Sequence, residues 1–139
     1  MDYLDQIKEL EIEIHYFDPA DYDLPHDKDA LYVPDLKLIL VNGTLDDITR
    51  KNAVLHELGH LLNQHYLLSC NAPGVHFKQE YEADHYMLRY RAKEYLEYFE
   101  GEFEFIDITR FLAVYHLASS LYDLAVQVFY ELLGLELGY

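Results

Sequence analysis

Apolar and polar positions along the 139-residue chain change period several times, and each change predicts a boundary. Residues 2–11, DYLDQIKELE, carry Leu4, Ile7 and Leu10 at three-residue spacing, the pattern of a short amphipathic helix. Residues 12–17, IEIHYF, alternate instead, as a strand with one buried face does. Two prolines and five aspartates make residues 18–30 a loop. LYV (31–33) and LKLILV (36–41) flank Pro34-Asp35, a turn signal, and predict a pair of strands. After Asn42-Gly43-Thr44 a helix is predicted to run to about Asn63, with Thr44 and Asp47 resembling a capping box. Residues 69–77 read as a loop, and a second helix is expected from about Lys78 to Phe99, stopped by Gly101. Residues 102–107, EFEFID, fit neither period. ITRFLAVYHL (108–117) and SSLYDLAVQVFYELL (119–133) predict two further helices, the second ended by Gly134. The expected fold class is therefore α+β. A small antiparallel or mixed sheet lies near the N-terminus, the helices of residues 44–63 and 78–99 pack together, and helices follow at the C-terminus. With no internal repeat and no long linker, one domain over 1–139 is expected, comprising a core at 1–99 and a helical extension at 100–139.

The segment VLHELGHLLNQHY (54–66) carries the first candidate chemistry, His56, Glu57 and His60 in the spacing H-E-x-x-H. On a helix at about 100° per residue, His60 lies about 40° from His56 and one turn along, so both imidazoles can reach one metal ion. Glu57 sits about 60° from His60 and is placed to act as a general base toward water. Val54, Leu58, Leu61 and Leu62 cluster on the opposite side, while Asn52 and Asn63 flank the histidines on a polar stripe. A catalytic zinc needs a third protein ligand, and KQEYEADHYM (78–87) offers Glu80, Glu82 and Asp84. Glu80, Ala83, Asp84 and Met87 share one helical face, whereas Glu82 points roughly 160° from Asp84. Two inward carboxylates are costly unless paired or metal-bound, which favours Glu80 on the metal and Asp84 accepting the free N–H of a ligand histidine.

The formal net charge of −16 repels phosphate backbones and argues against direct nucleic-acid binding, while it attracts a basic partner. Cys70 is the single cysteine, so no internal disulfide forms, and no organised base marks it as a nucleophile. The acidic N-terminus has no apolar stretch of a signal peptide and no run is long enough to span a membrane, so a cytoplasmic location is expected. His65 and His76 read as ordinary histidines near a helix end and in a loop. Tyr81 and His85 neighbour the ligand face, where either could donate to a tetrahedral intermediate.

HELGH followed some twenty residues later by EYEAD resembles the ImmA/IrrE family of zinc metallopeptidases, which pair H-E-x-x-H with a downstream E-x-x-A-[DN]. The lead-in LILVNGTLDDITRKNAVLHELGH is similar as well, a strand ending in Val-Asn before the motif helix, and the resemblance covers roughly residues 1–99. It implies a zincin-like fold, Zn2+ held by His56, His60 and Glu80, Glu57 as general base and Asp84 behind the ligands. Family members of phages and mobile elements cleave or inactivate a helix-turn-helix repressor, so a basic repressor in a bacterial host cell is the implied substrate, with the edge of the strand layer, LKLILV, pairing its backbone. The chain departs from the family after EYEAD, where HYMLRYRAKEYLEYF replaces a Phe-Ala segment and a Leu-Met-Pro stretch. The alternative function is a non-catalytic acidic antirepressor that binds the repressor stoichiometrically, although such a protein has no use for Glu57.

Overall fold

The computed structural model describes residues 2–21, 29–63, 73–98 and 106–134, with the backbone alone for 73–76. Over these residues the chain is α+β, with five α-helices and a three-stranded mixed sheet. Its contacts gather into two compact units, Met1–Ala83 and Asp84–Tyr139.

In the first unit, α1 (Tyr3–Glu9) starts on Asp2, whose carboxylate accepts the Leu4 N–H at 3.3 Å. Ile7 is its buried residue, while Leu4 of the expected stripe is 54% exposed. The sheet takes the order β1 (Glu13–Phe17), β3 (Leu38–Asn42), β2 (Ala30–Val33), with β3 parallel to β1 and antiparallel to β2. The predicted Pro34-Asp35 turn is a 3-10 turn, Pro34–Leu36, closed by Lys37 in the left-handed region at φ 47°. LKLILV is not the edge that the sequence suggested. β3 is the middle strand, and its Ile39 and Val41 have no exposed surface, because a run of aliphatic side chains is best buried where both neighbours supply partners. Its backbone groups are committed to β1 and β2, so a substrate backbone has no row of free groups to pair with on this strand. Among the described residues the outer strands are β1 and β2.

The exit from β3 is set by Asn42, whose Oδ1 accepts the Thr44 N–H at 3.0 Å and the Thr44 hydroxyl at 2.6 Å. Gly43 follows because a Cβ there would sit 3.3 Å from the Tyr16 Cβ and 3.4 Å from the Phe17 carbonyl. The expected Thr44–Asp47 box does not form. Asp46 is the N-cap of α2 (Asp47–Leu62), taking the Thr49 N–H on Oδ1 at 2.9 Å and the Thr49 hydroxyl on Oδ2 at 2.8 Å. Thr44 is already engaged by Asn42, and Asp46 is the residue from which a carboxylate reaches the third helical N–H. α2 packs over β2 and β3, where Val54, Leu55, Leu58 and Leu61 are buried with Ile39 and Val41. Two positions depart from the expected pattern. Asn52 is buried rather than on a polar stripe, since α2 is covered around much of its circumference, and Leu62, its last residue, is 41% exposed.

α3 (Pro73–Tyr98) runs through the boundary between the units. It begins five residues before the expected Lys78, so part of the predicted 69–77 loop is helical. Pro73 suits a first helical position because no N–H is needed there. The second unit adds α4 (Ile108–Val114), capped by Asp107 through the Arg110 N–H at 3.1 Å, and α5 (Tyr122–Leu133), ended by Gly134 at φ 68°. The two predicted C-terminal helices are thus present, joined through a 3-10 turn at Ser119–Leu121. Phe111 centres the core of this unit, edge-on to Phe129 at 4.9 Å and to Tyr95 at 5.5 Å, among Leu88, Ala92 and Val128. Arg91 is buried there, but paired: its Nη1 donates to Glu94 at 3.1 Å and its guanidinium lies 4.8 Å from the Tyr115 ring centroid. Burial pushes the Tyr115 hydroxyl up to about 12, with Glu94 adding to the rise and Arg91 opposing it.

Candidate metal centre

His56 and His60 project from one side of α2 because they lie a single turn apart, and their rings meet edge to face with centroids 4.7 Å apart. Glu80, on α3 in the same unit, reaches both. Its Oε2 is 3.0 Å from His56 Nε2, its Oε1 is 3.2 Å from His60 Nε2, and the two Nε2 atoms are 3.1 Å apart. Among the described residues these three form the group whose ligand atoms lie within 4.8 Å of one another and could hold a metal ion. A proton can bridge two of these atoms, whereas a metal ion accepts all three. A tetrahedral ion with ligand bonds of about 2.0–2.1 Å separates its ligands by about 3.3 Å, close to the spacings present here. Two imidazoles and a carboxylate are also the donor types that suit zinc.

The side chains of His56, His60 and Glu80 are 23%, 20% and 40% exposed. A structural metal site is closed by its protein ligands, and a hydrolytic one keeps an approach for water. With Glu80 at this exposure, solvent reaches the three side chains. Ala83 is buried and Met87 is 6% exposed, so the face that Glu80 begins does turn inward. Burial alone does not separate Glu80 from Glu82, since both are half-buried. The distances do, because Glu82 is not in the cluster. Glu57 follows His56 on α2, half-buried and also outside the cluster. Asp84 is half-buried one turn beyond Glu80 on α3 and opens the second unit.

Of the other candidates, His65 and Cys70 lie outside the described residues. His76 falls in α3 rather than in a loop. Tyr81 is 46% exposed on α3. His85 is engaged within the second unit, where its Nε2 lies 2.8 Å from Glu131 Oε2, while Gln127 donates to Glu131 Oε1 at 2.9 Å. The hydrogen bond from Gln127, then that from His85 and the charges of His85 and Arg89, hold the Glu131 carboxyl below its usual range against the opposing effect of burial. No local motif announces this group, because His85 and Glu131 are 46 residues apart in the chain.

An α+β chain with a partly open centre of two histidines and one glutamate, the histidines carried by an H-E-x-x-H helix, has the build of a metal-dependent hydrolase. The family model of peptidase M78, the IrrE N-terminal-like domain, matches residues 7–96, and the chain belongs to this family. Membership points to a metallopeptidase-type function. No curated protein and no solved structure matches the chain. No helix among the described residues is long and apolar enough to cross a membrane.

Proposed function

We propose that the protein is a zinc-dependent endopeptidase of the Glu-zincin type, acting in the bacterial cytoplasm on a basic helix-turn-helix repressor. The observation that carries the reading is the convergence of His56, His60 and Glu80 on one point, with Glu57 next in sequence and outside the ligand set. Zinc held there would polarise the scissile carbonyl and make its water a stronger acid. Glu57 takes the proton of the attacking water and passes it to the leaving amine, so the peptide and one water become a carboxylic acid and an amine. Asp84, one turn beyond Glu80, accepts the free ring N–H of a ligand histidine and fixes its tautomer. The charge of −16 draws a basic repressor toward the surface and disfavours DNA.

Cleavage and capture separate at Glu57. Replacing it with Gln keeps the side-chain shape and all three ligands but removes the base. The Glu57→Gln variant should hold zinc as the parent does, bind the repressor and leave it intact, so that a promoter reporter stays silent in cells making both proteins. If Glu57→Gln relieves repression as fully as the parent, with the repressor uncut in both, the peptidase reading fails and stoichiometric antirepression replaces it.

A further inference from the structure

Of the four asparagines in the chain, Asn42 is the one followed by glycine. The pair stands where β3 ends and the chain turns toward α2, and both residues are half-buried. An Asn-Gly pair is chemically weak. The glycine nitrogen can attack the asparagine Cγ, because no Cβ shields that nitrogen and the glycine backbone accepts the bend that ring closure requires. Packing imposes this weakness here, since a Cβ at position 43 would sit 3.3 Å from the Tyr16 Cβ and 3.4 Å from the Phe17 carbonyl oxygen. The corner needs its glycine directly after the asparagine that holds it closed.

Two effects compete at the closed corner. The Gly43 N–H donates to the Phe17 carbonyl at 2.7 Å, so the nitrogen keeps its proton and its peptide plane stays with the sheet. The Asn42 N–H donates to the Asp29 carbonyl at 2.8 Å, which holds the strand extended from its other side. Against this, the Thr44 N–H and hydroxyl both donate to Asn42 Oδ1, at 3.0 and 2.6 Å, and such donors draw electrons from Cγ as an oxyanion hole does. The first effect prevails. Donors on Oδ1 can only assist an attack, and none begins until the Gly43 nitrogen has left the Phe17 carbonyl and lost its proton.

We propose that Asn42 is a spontaneous modification site, deamidated through a cyclic imide when the corner between β3 and α2 opens and protected while it is closed. The Gly43 nitrogen gives up its proton and bonds to Asn42 Cγ, the Cγ–Nδ2 bond breaks, and ammonia leaves with that proton. One water then opens the imide. Opening at Cγ restores the main chain and leaves an aspartate side chain. Opening at the main-chain carbonyl carbon leaves the chain running through Cβ and Cγ as isoaspartate, one carbon longer. In sum, the amide and one water become a carboxylic acid and ammonia. Aspartate keeps a side-chain oxygen for the Thr44 donors. Isoaspartate lengthens the chain between the bonds to Asp29 and to Phe17, so the two should not re-form at their present spacing. The site is independent of the metal centre and of the peptidase reading.

Peptide mapping by mass spectrometry tests this on the full chain aged in mildly alkaline buffer, with the same chain unfolded in urea as comparator. The unfolded chain should lose ammonia at Asn42 faster than at its other asparagines. In the folded chain that loss should be at least about tenfold slower, by a factor matching the hydrogen-exchange protection of the Gly43 amide to within about threefold, because one opening exposes both. Asn42→Asp should melt close to the parent, while the isoaspartate fraction of aged protein should melt lower. An Asn42 that stays intact in urea, or equal rates in the folded and unfolded chain, overturns the proposal. So does a folded rate above what Gly43 exchange permits, which would mean that the closed corner itself reacts, with the Thr44 donors as activators. An isoaspartate fraction that melts with the parent overturns the account of the corner.

Discussion

Glu80 and Glu82 stand two positions apart on α3 and are alike in type and burial, yet only Glu80 is within reach of His56 and His60. A third ligand adds chelation to two imidazoles, and a neutral amide donates poorly to a zinc ion. Glu80→Gln should therefore lose most of its zinc on dialysis against a chelator, while Glu82→Gln keeps nearly its full complement, with zinc content per chain as the readout. The reverse result would assign the ligand to Glu82. The grouping of His56, His60 and Glu80 was legible in the sequence because spacing on a helix is local: i, i+4 joins the two histidines, and the face shared with Ala83 and Met87 favours Glu80. The partner of His85 was not legible, because the contact with Glu131 depends on how distant helices pack.

At the scale of elements, the periods located most helices and strands but not the chemistry of their ends. The start of α2 shows why. Thr44 and Asp46 both look like caps, and the choice between them rests on Asn42 holding Thr44 in a turn as β3 ends. Asp46→Ala should cost about 1 kcal/mol, the usual worth of an N-cap, whereas Thr44→Ala should cost less. Urea unfolding followed by circular dichroism measures the difference, and a larger loss for Thr44→Ala would restore the box that the sequence suggested. The position of β3 was hidden for another reason. A stretch such as LKLILV fits either a middle or an outer strand, and parallel pairing with β1, more than twenty residues earlier, decided it.

For the whole molecule, the dominant quantity is charge. The chain already carries −16, and its 14 tyrosines add negative charge as pH rises. Tyr115 gives that rise a specific target in the second unit. Its folded value of about 12 lies above the unfolded tyrosine value of about 10, so its contribution to stability is complete below pH 10 and is lost as pH climbs toward 12. Tyr115→Phe removes the titrating hydroxyl and should move the alkaline unfolding midpoint upward, read by circular dichroism beside tyrosinate absorbance. An unchanged midpoint would mean that general repulsion sets the alkaline limit. The helix shared by the two units has a consequence for anyone dividing the protein. Glu80 and Ala83 fall before the boundary and Asp84 after it, so the E-x-x-A-D motif belongs to neither piece. A chain cut at Ala83 would leave Glu80 in a final helical turn, its carboxylate beside unpaired carbonyls at the negative end of the dipole, where the turn frays. The segment matched by the family ends at residue 96, through nearly all of α3. The matched segment thus spans the boundary inside α3, and a graft of this centre onto another scaffold has to carry α3 at close to full length.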